Sequence, residues 1–140
     1  TQGTAMAEAG LTKAGTDVTG FGLLGHLSHV CRESGVTARI AASQVPVFDP
    51  AVIEFIKAGC VPGGSRKNLE LAEEFTLFGN SVPDELKILL ADAQTSGGLL
   101  LAVSPEHYQE AQDLLFAKGS AIVADIGVVT HQDEHPVVVS

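Results

Sequence analysis

The chain is short of aromatic residues, of cations and of cysteine, and each shortage removes a class of function. It has no Trp, one Tyr and six Phe in 140 residues. Its core is therefore aliphatic, built from Leu, Val, Ile and Ala, and the length suits one domain with a sizeable core. Lys and Arg total 8 against 17 Asp and Glu, a formal charge of −9. Nucleic acid requires clustered cations against its phosphates, and an anionic membrane surface requires them too. The charge balance argues against both as partners. Cys31 and Cys60 form no C-x-x-C or metal-ligand spacing. No apolar run approaches about 18 residues and no signal-peptide pattern opens the chain, so a cytoplasmic, reducing setting is expected. An acidic chain can still bind a nucleotide, through a metal and backbone donors rather than basic side chains.

What the chain does have is concentrated in Thr16-Asp17-Val18-Thr19-Gly20-Phe21-Gly22-Leu23-Leu24-Gly25-His26. One acid, two hydroxyls and three glycines run directly into an apolar stripe, Leu23 or Leu24, Leu27, Val30 and Cys31. That spacing is one face of a helix. Thr19 is the expected N-cap. A helix start offers backbone N–H groups and a partial positive charge, which suits phosphate. Asp17 beside it is a candidate ligand for Mg²⁺, which takes one or two carboxylates together with phosphate oxygens. The plainer alternative stays open: Asp17 answers the helix dipole and the glycines permit close packing. The same residues spell G-x-G-x-x-G. A dinucleotide site needs a strand before that motif and an acid about 20 residues after it. Lys13–Asp17 is a poor strand and no acid lies between 40 and 46, so that reading is rejected.

Helices and short strands alternate along the rest. Ala5–Ala9 reads as a short helix, Gly35 as the residue that ends the central helix, with Arg32 in its last turn. Thr37–Ser43 reads as a weak strand. Asp49-Pro50 starts a helix that carries Val52, Ile53 and Ile56 inward and stops at Gly59. Val61–Asn68 reads as a loop. In it Gly63, Gly64 and Ser65 offer donors to an anion, Arg66 or Lys67 offers charge, and Asn68 can fix a backbone turn. The alternative is a Pro-Gly turn running into a helix. Phe75–Phe78 is a short strand. Pro83 opens a helix with Leu86, Leu89 and Leu90 inward. Gln94-Thr95-Ser96-Gly97-Gly98 leads into Leu99–Val103, an unbroken apolar run that reads as a strand buried on both faces, whose glycines let another backbone approach. Ser104-Pro105-Glu106 starts a helix lined by Tyr108, Ala111 and Leu115 and ended at Lys118-Gly119. Ala121–Val129 reads as a strand. His131-Gln132-Asp133-Glu134-His135 has metal-binding residue types but reads as a solvated hairpin tip. Val137–Val139 reads as an edge strand. Residues 1–4 and 131–140 are expected to be less ordered, and a start without Met reads as a fragment. This alternation implies an α/β (α+β) fold, a sheet with helices layered against it, with a strand order the sequence does not give.

Three segments together resemble one family. Thr16–His26 resembles the Thr-Asp-Val-Thr-Gly-Phe-Gly-Leu-x-Gly-His segment of the selenophosphate synthetases (selenide, water dikinases). Pro62-Gly63-Gly64-Ser65-Arg66-Lys67-Asn68 and Gln94-Thr95-Ser96-Gly97-Gly98-Leu99 follow in the family's order and at about its spacing, with Ala93 where the family often has Pro. The resemblance runs from about Met6 to Val129 and covers only the C-terminal half of such an enzyme. It implies the C-terminal domain, residues 1–140, of a two-domain enzyme of the aminoimidazole-ribonucleotide-synthetase-like superfamily, in which this half is a mixed sheet covered by helices. The implied reaction takes selenide, ATP and water to selenophosphate, AMP and phosphate with Mg²⁺. It implies Asp17 as a metal ligand, and Thr16, Thr19, Gly20, Gly22, Gly63 and Gly64 as supports for metal or phosphates. The catalytic Cys or selenocysteine and its Lys belong to the other half, so no catalytic residue is expected here and this chain alone is expected to be inactive. Its expected partners are its own N-terminal domain and a second copy of the full-length protein. Two rivals are another ATP-using enzyme of the superfamily and a non-catalytic module kept for dimerisation or partner binding.

Overall fold

The computed structural model describes residues 1–95 and 97–140; Ser96, within the Gln94–Gly98 segment, lies outside them. In order, the elements are α1 (Gln2–Glu8), β1 (Ala14–Asp17), α2 (Gly22–Ser34), β2 (Val36–Ile40), α3 (Ala51–Lys57), α4 (Gly63–Ala72), β3 (Thr76–Phe78), α5 (Asp84–Ala91), β4 (Leu99–Ala102), α6 (Tyr108–Ala117), β5 (Gly127–His131) and β6 (Val137–Val139). Single 3₁₀ turns occupy Ala42–Gln44 and Pro105–His107.

The strands form a four-stranded mixed sheet, order β3-β6-β2-β5, and a two-stranded ribbon, β1-β4. In the sheet β6 runs parallel to both β2 and β3, while β5 is antiparallel to β2. Helix α2 is the pivot. Leu24, Leu27 and Cys31 are buried on the face it turns to the sheet, where they join Ala38, Ile40, Val137 and Val139, with Ala72 of α4 and Leu90 of α5 completing the cluster. Each fully buried aliphatic side chain contributes about 1.5–3 kcal/mol, so this stripe anchors the helix firmly. Gly35 takes φ 64° and ends α2 in the left-handed conformation, as its sequence position implies. A smaller core of Met6, Leu11 and Ala111 holds α1 and α6 beside the ribbon.

The mixed, helix-covered α/β architecture agrees with the sequence reading; several local expectations do not. Ala14–Asp17 is a strand after all, paired with Leu99–Ala102 residue for residue. The G-x-G-x-x-G motif therefore does follow a strand. That strand is antiparallel to its one neighbour and sits in a different sheet from β2, so no βαβ unit forms and the dinucleotide reading stays rejected. Residues 63–68 are the first turns of α4 rather than a loop. β4 is not buried on both faces: among the described residues it pairs only with β1, and Leu99 is 45% exposed. β5 begins at Gly127 rather than at Ala121. Val137–Val139 is an inner strand, with Val137 and Val139 fully buried. Residues 132–136 form no hairpin tip, because β5 and β6 lie on opposite sides of β2. They cross the start of β2, tied there by Thr37, whose hydroxyl donates to the His135 carbonyl at 2.9 Å and accepts from the Asp133 N–H at 2.8 Å. α3 is covered only in part, with Val52, Ile53 and Ile56 half-buried. The helix starts one residue later than the sequence suggests, with Pro50 at the N-cap, and the Asp49 carboxylate accepts from the Ala51 N–H at 2.9 Å.

Candidate functional site at the start of the central helix

The turn Val18–Phe21 joins β1 to α2, and its backbone is fixed from three sides. Thr19 is the hub. Its carbonyl accepts from the Gly22 N–H at 3.0 Å and the Gln94 N–H at 3.1 Å. Its own N–H donates to His26 Nε2 at 3.1 Å, and its hydroxyl lies 2.9 Å from the same nitrogen. Thr19 is therefore not the N-cap. Phe21 holds that position, without a side-chain cap, because the Thr19 hydroxyl is engaged one turn further along by His26. With Nε2 accepting from an N–H, the imidazole proton resides on Nδ1.

Asn68, on α4, donates through its side-chain amide to the Gly20 carbonyl at 2.9 Å and the Ala91 carbonyl at 3.1 Å. It thus links the turn to the end of α5. The next residue, Asp92, is fully engaged: one carboxylate oxygen accepts from the buried Ser65 hydroxyl, the other from the Gln94 side-chain amide at 3.1 Å. Gly22 makes this closeness possible. Its φ is +68°, and an added Cβ would stand 2.6 Å from the Ala91 carbonyl carbon and oxygen. Gly97 plays the same part on the other side, packed against the Val18 carbonyl, while the Val18 N–H donates to the Gly98 carbonyl at 2.9 Å. The three glycine-bearing segments, far apart in sequence, thus meet around one turn.

The sequence-derived candidates divide in this frame. Asp17 ends β1 opposite Leu99, exposed, with no hydrogen bond or ion pair to its carboxylate among the described residues. Thr16 lies beside it half-buried, its hydroxyl donating to the Asp17 carbonyl at 3.1 Å. Gly20 is exposed, with nothing within 4 Å of an added Cβ. Thr19 and Gly22 serve the turn itself. Gly63 and Gly64 open α4, exposed, without a side-chain cap, so their N–H groups face outward at a helix start. Sequence reasoning gave neither Asp92 nor His26 a role. The signal for His26 was its place seven residues after Thr19 on the first turns of a helix.

As a metal ligand Asp17 fits in one respect: it is an accessible carboxylate beside a helix start. Among the described residues no group of three or more His, Cys, Asp or Glu is arranged to hold a metal, so this chain offers a cation one carboxylate here. The His131–His135 stretch supplies no such group either, and Asp133 is paired with Arg39 at 2.8 Å. A cavity of about 340 Å³ lies at the opposite end of α2, lined by Arg32, Phe75 and residues 132–136, remote from the turn. Among the described residues no helix is long and apolar enough to cross a membrane.

Residues 2–140 match the family model for AIR synthase related protein, C-terminal domain. Over 139 residues the chain is 43% identical to a selenide, water dikinase of Enterobacter sp. (strain 638), covering 97% of this chain and 38% of that protein. A selenide, water dikinase of Escherichia coli (strain K12) is 48% identical over 113 residues, covering 79% of this chain and 30% of that protein. The chain thus spans about a third of the length of such relatives.

Proposed function

The chain belongs to the AIR synthase related family, matching its C-terminal domain, and from that premise we propose that it is the C-terminal domain of a selenide, water dikinase. The observation that carries the reading is the meeting of Thr16–His26, Asn68 of the second segment, and Gln94, Gly97 and Gly98 of the third around one turn, with Asp17 exposed at its edge. The identity to proteins of that name over nearly the whole chain supports it.

In this reading the full-length protein converts selenide, ATP and water to selenophosphate, AMP and phosphate in the cytoplasm, as a homodimer. Residues 1–140 act as its C-terminal half. Asp17 contributes one carboxylate to Mg²⁺ held mainly by the N-terminal half. When bound, the metal neutralises charge developing on the transferred phosphoryl group. Gly20, Gly63 and Gly64 leave room for phosphate oxygens to reach backbone N–H groups at the starts of α2 and α4. Thr16, Thr19 and Gly22 keep the edge of β1 and the turn in place. Phosphoryl transfer depends on such positioning more than on covalent work by the protein.

The test uses the full-length protein, with phosphorus NMR of ATP and Mg²⁺ in the presence and absence of selenide. Selenide-dependent AMP and a selenophosphate resonance are expected, both lost in Asp17→Asn. Full activity in the variant would remove Asp17 from the site and leave the reaction. No selenide dependence would favour another ATP-using enzyme of the superfamily, and no ATP turnover at all a non-catalytic module.

A further inference from the structure

We propose that His26 is the positioning residue of this site: its Nε2 lone pair sets the Val18–Phe21 turn and thereby the place of Asp17. The inference rests on the reading of Asp17 as a metal ligand, but its structural half stands apart from it. A single ring nitrogen meets both the backbone N–H and the hydroxyl of Thr19. Asp17 is two residues upstream, at the end of a four-residue strand, with only Val18 between it and the residue that His26 holds. No other side chain among the described residues bonds the Thr19 N–H or hydroxyl. Of the other holds on the turn, one is backbone to backbone, the Val18 N–H on the Gly98 carbonyl at 2.9 Å, and the rest are on carbonyls, the Gln94 and Gly22 N–H groups on Thr19 and the Asn68 amide on Gly20. Among the described residues His26 is thus the one side chain that accepts on the donor side of the turn.

The ring is itself held. It sits one turn into α2 with the Phe21 ring tilted against it, centroids 5.9 Å apart. Phe21 folds back over Gly25, where an added Cβ would stand 2.7 Å from the Phe21 Cβ. The Phe21-x-x-x-Gly25-His26 spacing therefore reads as a clamp on the imidazole. Any residue larger than Gly at 25 would displace Phe21 and loosen the ring.

The variants that separate this role from simple packing are His26→Gln and His26→Leu. Gln carries an acceptor oxygen that can reach Thr19; Leu fills similar space without an acceptor. In the full-length protein, hydrogen exchange over residues 18–21 is measured by mass spectrometry, and Mn²⁺ affinity by electron paramagnetic resonance titration. Asp17→Asn serves as the reference. In His26→Leu, exchange over the turn is expected to rise at least tenfold and Mn²⁺ affinity to fall about as far as in Asp17→Asn. His26→Gln is expected to restore both to within about threefold of wild type. Wild-type exchange and affinity in His26→Leu would overturn the proposal, as would a Gln variant no better than Leu. If Asp17→Asn binds Mn²⁺ like wild type, the metal reading fails, and exchange in the Leu variant alone decides whether His26 sets the turn. Should His26→Leu not fold, Thr19→Val and Thr19→Ser carry the same comparison from the other side: Ser is expected to match wild type and Val to loosen the turn, and equal behaviour of the two would overturn the role of the hydroxyl contact.

Discussion

Gly20 and Gly22 stand two residues apart in one motif and answer to different constraints. Gly22 is held at φ +68° against the Ala91 carbonyl, whereas Gly20 has open space where a Cβ would go. Gly22→Ala is therefore expected to cost about 2 kcal/mol or more, since the left-handed backbone and the collision add. Gly20→Ala is expected to change stability by no more than about 0.5 kcal/mol. Urea unfolding of the two variants checks the contrast, and equal losses would contradict the packing described. The two cysteines separate in the same way. Cys60 is exposed and Cys31 buried, so an alkylating reagent is expected to modify Cys60 in the native protein and Cys31 only after unfolding. Burial pushes the Cys31 thiol up from its ordinary value of 9.0, with a backbone hydrogen bond at Ala38 opposing it in smaller measure. The folded state thus keeps a proton that the unfolded chain loses as pH rises past that value. Stability is expected to be unaffected by this thiol at neutral pH and to decline above about pH 9. A flatter alkaline limb in Cys31→Ala would assign that decline to the thiol.

At the scale of elements, what the sequence shows is what local chemistry decides. The apolar stripe of α2, its Gly35 terminus and the Asp49-Pro50 start of α3 are all set within a few residues, and all were legible. The strands were less so, because their state depends on partners far along the chain. Ala14-Gly15-Thr16-Asp17 has little strand propensity; Leu99–Ala102 makes it a strand from some 85 residues away. Val137–Val139 looks like a terminal edge until β3 and β2 are seen to close on both sides of it. The same holds at the site. The glycine-rich segments were legible one by one, but Asn68 bridging Gly20 to Ala91 and Asp92 bridging Ser65 to Gln94 are visible only once the chain is folded. These bridges have measurable weight. Asn68→Ala is expected to cost about 1–2 kcal/mol by leaving carbonyls unpaired. Asn68→Asp is expected to cost more, since it sets a carboxylate against the same oxygens. On β3, the buried Thr76 hydroxyl has no partner among the described residues. Thr76→Val removes that unsatisfied group at constant shape, and a gain of about 1 kcal/mol is expected, readable as a melting temperature a few degrees higher.

At the scale of the whole molecule, the turn around Thr19 is well built but open on one side. The contacts that fix it come from α2, α4, the end of α5 and the segment before β4, and they leave Asp17, Gly20, Gly63 and Gly64 facing outward. One carboxylate and two helix starts are a weak grip on a metal–nucleotide complex. A formal charge of −9 works against an anionic ligand at long range, though salt screens much of it. The 140-residue chain, once circular dichroism has established that it folds alone, is therefore expected to bind Mg-ATP with a Kd of about 1 mM or weaker, equivalent to about −4 kcal/mol. It is also expected to form no AMP when selenide is added. The full-length protein is expected to bind far more tightly, and its affinity to drop on Asp17→Asn. Calorimetric titration of both proteins under the same ionic conditions makes the comparison. Micromolar binding by the isolated chain would mean that this half carries a complete nucleotide site of its own. The outward-facing groups at the start of α2 and α4 would then be the whole grip, rather than the part of it that closes over a site assembled elsewhere.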